Sequence, residues 1–232
     1  MCDKQIKDLI DVFSSTTDVK EEKMKCLFVV PLLQYCYLKL GKTLKDVFSD
    51  FIFDKEGEGK GDIRIKISPS VILLVETKGK KEDLLKEVKS KIIWPGPYEL
   101  QSSYSDYLFI DNEDKFYNLN NDYFGQILRY ALQQAREAKD YSEIRVILTN
   151  GIKWHFFRFN REELDSLIDN LRKGKETVIR KEKKNGEKKI VEKKTVYGCS
   201  IKNFKEKINK QIELSLDKCG SLLKELQDYM KA

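Results

Sequence analysis

Asp62-Ile63-Arg64-Ile65-Lys66-Ile67-Ser68-Pro69-Ser70-Val71-Ile72-Leu73-Leu74-Val75-Glu76-Thr77-Lys78 is the stretch that decides how this chain is read. Its first six residues alternate with period two, which predicts a strand buried on one face. Ser68-Pro69-Ser70 turns the chain, and Val71 to Val75 is the continuous apolar run of a central strand covered on both faces. The expected hairpin starts at one carboxylate, Asp62, and ends at another, Glu76. Strand side chains alternate faces, so Glu76 and Lys78 emerge on the same side. The two acids can therefore converge at one end of a sheet.

The letters E-x-K carry little information alone, because the chain contains them nine times. Only Glu76-Thr77-Lys78 closes an apolar strand. Asp62, Glu76 and the carbonyl of Thr77 are hard oxygen ligands suited to Mg²⁺, with Mn²⁺ expected to substitute. Such an ion acidifies a bound water and offsets charge growing on a scissile phosphate. Lys78 would orient the attacking water or support the developing negative charge. The plainer reading is a turn aspartate and a surface Glu/Lys pair.

Working outward, Met24, Leu27, Phe28, Leu32 and Tyr35 recur at helical spacing and predict a helix over 18–40. Thr17 or Asp18 is its N-cap, Gly41 follows its end, and Pro31 implies a kink or a break. Phe51 to Phe53 reads as a short strand. Lys80 to Lys91 reads as a helix stopped by Trp94-Pro95-Gly96-Pro97. Residues 94–121 form an irregular insertion with one strand at Tyr107 to Ile110. A helix from Tyr123 to Ala138 leads to a strand at Ile144 to Leu148. Asn150-Gly151 predicts a type I′ turn into the alternating run Lys153 to Phe159. Asn160 and Glu163 form a capping box for a helix to about Arg172. The last 30 residues suggest one or two packing helices interrupted at Gly220. The expected division is a domain over 1–172, a basic hairpin arm over 173–199 and a helical segment over 200–232.

Composition bounds the chemistry. A chain of 232 residues with 41% hydrophobic content can bury one substantial core. Five cysteines without a C-x-x-C pair suggest reduced thiols, not disulfides or a zinc site. The single histidine, His155, lies in a strand-like run, so histidine triads and multi-histidine metal sites lack their parts. The longest apolar stretch, Leu27 to Leu33, is too short for a membrane span, and the charged N-terminus has no signal-peptide core. A cytoplasmic location without membrane contact is expected. Residues 173–194 hold ten Lys/Arg against four Glu, an excess equal to the whole formal net charge of +6. The chain reads as a neutral body with one basic arm, either solvated or set against phosphates. The phosphate-contact candidates are Arg180, Lys181, Lys183, Lys184, Lys188, Lys189, Lys193 and Lys194, with Lys80, Lys81 and Arg129 outside the arm.

From about residue 18 to 160 the order of helix, hairpin, helix and strand resembles the PD-(D/E)xK nuclease superfamily. More specifically, it resembles the N-terminal nuclease domain of type I restriction enzyme motor subunits and their stand-alone relatives. The resemblance is carried by Glu21-Glu22 ahead of Val30-Pro31-Leu32-Leu33, then Gly61-Asp62, Val75-Glu76-Thr77-Lys78, Gln126-Ile127-Leu128-Arg129-Tyr130 and Leu148-Thr149-Asn150-Gly151. It implies an α/β fold with a restriction-endonuclease-like core, a mixed central sheet flanked by helices. It also implies a Mg²⁺-dependent DNA endonuclease of restriction or repair type. Glu21 or Glu22 would approach the metal from the first helix, with Glu21 favoured. Gln126 and Tyr130, four apart on one helix face, would lie beside the active site. Gly61 stands where the family frequently has proline. No P-loop is present, so the translocating motor is absent from this chain, and the nuclease would work alone or borrow a helicase or motor partner. The competing readings are a nucleic-acid-binding protein of nuclease-like fold that does not cleave, and an assembly subunit using its C-terminal helices. A homodimer is left open.

Overall fold

Ile63, Ile65 and Ile67 are buried while Arg64 and Lys66 between them are less so, the pattern of a strand with one covered face. This strand, β2 (Ile63–Ser68), pairs antiparallel with β3 (Val71–Thr77), Ile63 opposite Val75 and Ile65 opposite Leu73. β3 is buried along its whole length, as its unbroken apolar run requires. The computed structural model describes residues 3–53, 62–82, 84, 98–100, 107–110, 116–118, 123–184, 187–204 and 212–232.

The chain is mixed α/β and divides into two units, one of residues 1–84, 139–159 and 211–232, the other of 85–138 and 160–210. In the first unit, β1 (Phe51–Phe53), β2 and β3 are followed by β7 (Glu143–Thr149), β8 (Lys153–Asn160) and β11 (Ile212–Ser215). They form a six-stranded sheet in the order β1-β2-β3-β7-β8-β11. The β3–β7 pair is parallel, so the sheet is mixed. Ile63, Ile65, Leu73, Val75 and Trp154 share one core with the helices flanking the sheet. Each such side chain contributes about 1.5–3 kcal/mol through burial.

Those helices start with α1 (Asp3–Ser15), which buries Ile6, Ile10 and Phe13. The helix expected over 18–40 runs from Glu21 to Lys39, but in three pieces: α2 (Glu21–Met24), a π-helical turn (Lys25–Val29) and α3 (Val30–Lys39). Pro31 does not end it. Proline has no N–H to offer the preceding turn, and its ring crowds the carbonyl four residues back. The chain widens immediately upstream, where the Val30 N–H reaches the Lys25 carbonyl five residues away. α4 (Leu44–Asp50) opens on a capping box between Thr43 and Asp46.

The C-terminal expectation needs correction, because 212–215 is a strand against β8 and not helix. Residues 202–204 are helical, and after the strand α7 (Cys219–Tyr229) buries Leu222, Leu226 and Tyr229. Gly220 lies in its first turn and does not interrupt it. The buried Arg145 of β7 donates to the carbonyls of Tyr229 and Lys231, both at 2.6 Å, tying down the end of α7. The segment over 200–232 is thus no separate appendage.

In the second unit, β4 (Tyr98–Leu100), β5 (Tyr107–Ile110), β6 (Phe116–Asn118), β9 (Lys175–Lys184) and β10 (Glu187–Ser200) form an antiparallel sheet in the order β4-β9-β10-β5-β6. The basic arm is a hairpin, as expected. However, the insertion's strands pair with it, so the expected boundaries at 172 and 199 do not separate compact units. α5 (Tyr123–Glu137) and α6 (Arg161–Lys173) belong to the same unit, α6 with its predicted Asn160–Glu163 cap. Gly174 and Gly198 let backbones meet: a Cβ on Gly174 would lie 1.9 Å from the Gly198 carbonyl oxygen. The expected helix over 80–91 and the Trp94-Pro95-Gly96-Pro97 stop lie mostly or wholly outside the described residues. Among the described residues no helix is long and apolar enough to cross a membrane, and none of the four cysteines is bridged.

Candidate functional site

The β2–β3 register carries Asp62 and Glu76 to one end of the first unit's sheet. The Asp62 N–H donates to the Val75 carbonyl at 3.0 Å, extending the ladder one residue beyond β2. Past the end of β3, the Lys78 N–H donates to Thr149 O at 2.8 Å, which keeps Lys78 on the parallel β3–β7 track. Glu21, in the first turn of α2, joins them. Carboxylate oxygens of Glu21, Asp62 and Glu76 lie within 4.8 Å of one another. Opposite ligands of an octahedral Mg²⁺ are about 4.2 Å apart. Adjacent ligands are about 3 Å apart, so the three side chains would close in around such an ion on binding it.

Each acid is held differently. Asp62 Oδ2 accepts from the Thr77 amide at 2.7 Å and the Thr77 hydroxyl at 2.5 Å. Glu76 is buried and receives the Lys78 ammonium at 2.5 Å, while Glu21 stands 3.6 Å from the same ammonium. Burial pushes the Glu76 carboxyl up to about 7. Lys78 opposes that rise, whereas the charges of Asp62 and Glu21 add to it. Burial likewise raises the Glu21 carboxyl, against the pull of Lys78. The cluster is therefore electrostatically crowded, and a cation placed among the three acids would relieve it.

Glu22, the alternative first-helix acid, is directed elsewhere. It is exposed and pairs with Lys25 at 2.6 Å. Lys25, on the π-helical turn, also approaches Asp62 at 3.5 Å and is a cation the sequence reading did not select. Burial disfavours its charge, but Glu22 and Asp62 outweigh that and raise its pKa. The only sequence signal for it was Pro31, whose disturbance of the helix ladder lies just downstream. Thr77 was selected for its carbonyl, yet its amide and hydroxyl are what the structure commits, both to Asp62.

Lys80 and Lys81 were selected as phosphate contacts. Lys81 is exposed, 3.7 Å from Asp18. Lys80 is buried, and its ammonium donates to the carbonyls of Phe13 at 2.5 Å, Ser14 at 3.3 Å and Thr16. It caps the C-terminal end of α1, so the expectation of a phosphate contact at Lys80 is corrected. Its own N–H donates to Val19 O, two residues before Glu21. Asn150 steadies the same loop by donating to the Glu82 carbonyl at 2.8 Å. Asn150 does not form a two-residue turn. Its side-chain oxygen accepts from the amides of Ile152 and Lys153, and Gly151 takes φ of +80°. A Cβ on Gly151 would meet the Phe13 ring at 2.4 Å. His155 is buried on β8, where burial lowers its pKa.

Gln126 and Tyr130 lie in the second unit, on α5, and bond to each other, Gln126 Nε2 to the Tyr130 oxygen at 2.6 Å. The Arg129 guanidinium stacks 5.4 Å from the Tyr130 ring. In the β9–β10 ladder, Lys184 is opposite Glu187, Glu182 opposite Lys189 and Arg180 opposite Glu192. The intervening positions set Lys183 opposite Lys188 and Lys181 opposite Ile190. Alternate positions share a face, so near the tip of the ribbon the register sets opposite charges across from each other on one face and the 183/188 and 181/190 positions on the other. Lys193 is exposed; Lys194 is opposite Val178. Comparison with family models, curated proteins and solved structures gives no match to this chain.

Proposed function

We propose that this chain is a Mg²⁺-dependent DNA endonuclease of the PD-(D/E)xK type, its core of restriction-endonuclease-like fold. The observation that carries this reading is the convergence of Glu21, Asp62, Glu76 and Lys78 at one end of the β2–β3 hairpin. Asp62 and Glu76 would hold the ion, joined by Glu21. Mg²⁺, when bound there, supplies positive charge for a phosphate in transit and acidifies water. The chain's own groups do the remaining work. Thr77 fixes the Asp62 carboxylate so that it need not reorganise. Lys78, drawn by Glu76 and Glu21, carries its ammonium into the cluster, where it can orient a water or meet negative charge on the phosphate. The like-charged Lys183 and Lys188 positions, costly when they face each other alone, favour a polyanion along that face of the ribbon.

The test is incubation of purified protein with plasmid and branched DNA in Mg²⁺ or Mn²⁺. Nicking that disappears in Glu76→Ala and in Lys78→Met is the expected result. Absence of nicking on every substrate, or equal activity in Glu76→Ala, defeats the reading. Tight, salt-dependent DNA binding without cleavage and indifferent to Glu76 establishes the non-cleaving alternative instead.

A further inference from the structure

Thr43 caps α4, Leu44 and Phe48 stand one turn apart on that helix, and Ile52 follows in β1. None of the three is buried. Leu44 is 66% exposed, Phe48 87%, Ile52 41% and Phe53 55%. Beside them runs a groove of about 560 Å³ whose floor is Tyr35, Val47 and Phe51, with Leu44, Phe48 and Phe53 also lining it. β1 is the outermost strand of the first unit's sheet among the described residues, hydrogen-bonded to β2 on one side. A monomer has no use for a phenylalanine standing almost wholly in water at the lip of an apolar groove.

We propose that two copies of this chain pair through the α4–β1 surface about a two-fold axis. The case for a second copy is that the patch is self-complementary. It presents a projecting aromatic and a concave apolar site side by side, so one rotation seats each copy's Phe48 in the other's groove, the isologous arrangement. The outer edge of β1 also suits itself. Antiparallel pairing of two such strands centred on Ile52 sets phenylalanine against phenylalanine, a favourable cross-strand pair. Area agrees. At roughly 200 Å² for a fully exposed phenylalanine or leucine side chain, Leu44, Phe48 and Phe53, which line the groove, offer roughly 400 Å² per copy. That is about half of the roughly 800 Å² per partner of a stable interface, with the β1 edge and a polar rim to supply the rest. The C-terminal helix, the assembly element expected from sequence, has its apolar face inside its own unit. This pairing stands whether or not the chain cleaves DNA.

Light scattering and sedimentation between about 1 and 100 µM full-length protein read the outcome directly. The wild type is expected to reach a mass near twice 27.2 kDa as concentration rises. Phe48→Glu is expected to raise the dimer dissociation constant roughly 30-fold or more, the effect of losing a central aromatic anchor. Because Phe48 is so exposed, its circular dichroism and melting temperature should match the wild type. Leu44→Glu should act in the same direction. Val12→Glu alters an equally exposed apolar residue on α1 and should leave pairing unchanged. A single-chain mass throughout the range overturns the proposal. So does a Phe48→Glu protein that pairs as the wild type does, or a Val12→Glu protein that dissociates as readily as Phe48→Glu.

Discussion

Replacing Lys80 with methionine keeps the aliphatic stem and removes the ammonium, which isolates what that charge does. The ammonium donates to the carbonyls of Phe13, Ser14 and Thr16 and lies 4.4 Å from the Phe13 ring centroid. Hydrogen bonds from a charged donor are worth about 1.5–3 kcal/mol each before the donor's desolvation is set against them. Burial does lower the Lys80 pKa, so desolvation takes back part of that gain. The net expectation is a loss of about 2–4 kcal/mol in the first unit. Urea unfolding followed by the fluorescence of Trp154, which is fully buried in that unit, measures it. Hydrogen exchange of the α1 amides should rise in parallel, because the loss falls on the docking of α1. Salt-dependent DNA binding provides the opposing measurement. A lysine that contacts phosphate, when removed, lowers the slope of log affinity against log salt by about one. A Lys80→Met protein with unchanged stability and a reduced salt slope would refute the inward reading of Lys80.

The remaining expectations concern charge and close backbone contact. Because burial raises Glu76 to about 7, Mn²⁺ affinity measured by calorimetry should rise steeply from pH 5.5 toward about pH 7 and level above it, and vanish in Glu76→Gln. In the absence of divalent ions the sign reverses for stability. The folded state keeps the Glu76 proton longer than the unfolded state, so up to about 3 kcal/mol is lost between about pH 4.5 and 7, and Glu76→Gln should flatten that fall. Lys183→Glu with Lys188→Glu should weaken DNA binding more than Lys184→Glu with Lys189→Glu, since only the former pair lacks opposite charge across the ladder; equal effects in filter binding would count against the basic face. Gly198→Ala should lower the melting temperature of the second unit, because its Cβ would lie 2.4 Å from the Phe109 ring and 2.7 Å from the Leu108 carbonyl.

What was legible in the sequence was what local pattern dictates. The period-two run at 62–67 and the unbroken run at 71–75 gave β2 and β3, and with them the ends at which Asp62 and Glu76 meet. The helix at Tyr123, the strand at Ile144 and the capped helix after Asn160 followed from periodicity and caps. Long-range pairing was not legible. The Tyr107 strand was legible but its partner β10, 87 to 93 residues away, was not; the three-residue strands at Tyr98 and Phe116 exist because β9 and β5 offer edges to them. The same reason turned 212–215 into a strand: its partner is β8, whose edge would otherwise be open. α1 was passed over although Ile6, Ile10 and Phe13 have helical spacing, since three apolar positions among acids and lysines gain their meaning from the core that receives them. Side-chain direction was the other blind spot. Lys80 and Lys81 are adjacent in sequence with the same chemistry, yet one ends inside at the end of α1 and the other in solvent.

The charge count at the hairpin's end ties these points together. Three carboxylates, Glu21, Asp62 and Glu76, meet two ammonium groups, Lys25 and Lys78. Lys78 sits closest to Glu76, and Lys25 is shared between Asp62 and the exposed Glu22. Glu21 has only the far side of the Lys78 ammonium. Negative charge is therefore in excess, with Glu82 adding to it at Glu21, and the excess is registered where burial makes it expensive, in the raised carboxyls of Glu76 and Glu21. A fold selected for stability alone would remove one of these acids or bury an apolar side chain in its place. Retaining the excess makes sense if a divalent cation completes the site. With the ion bound that excess would be offset. Glu21→Gln removes one of these negative charges. The Glu76 carboxyl should then titrate lower, and Mn²⁺ should bind more weakly although Asp62 and Glu76 are untouched. A stabilised protein whose Mn²⁺ affinity equals that of the wild type would mean that Glu21 is a bystander and that the excess charge has another origin.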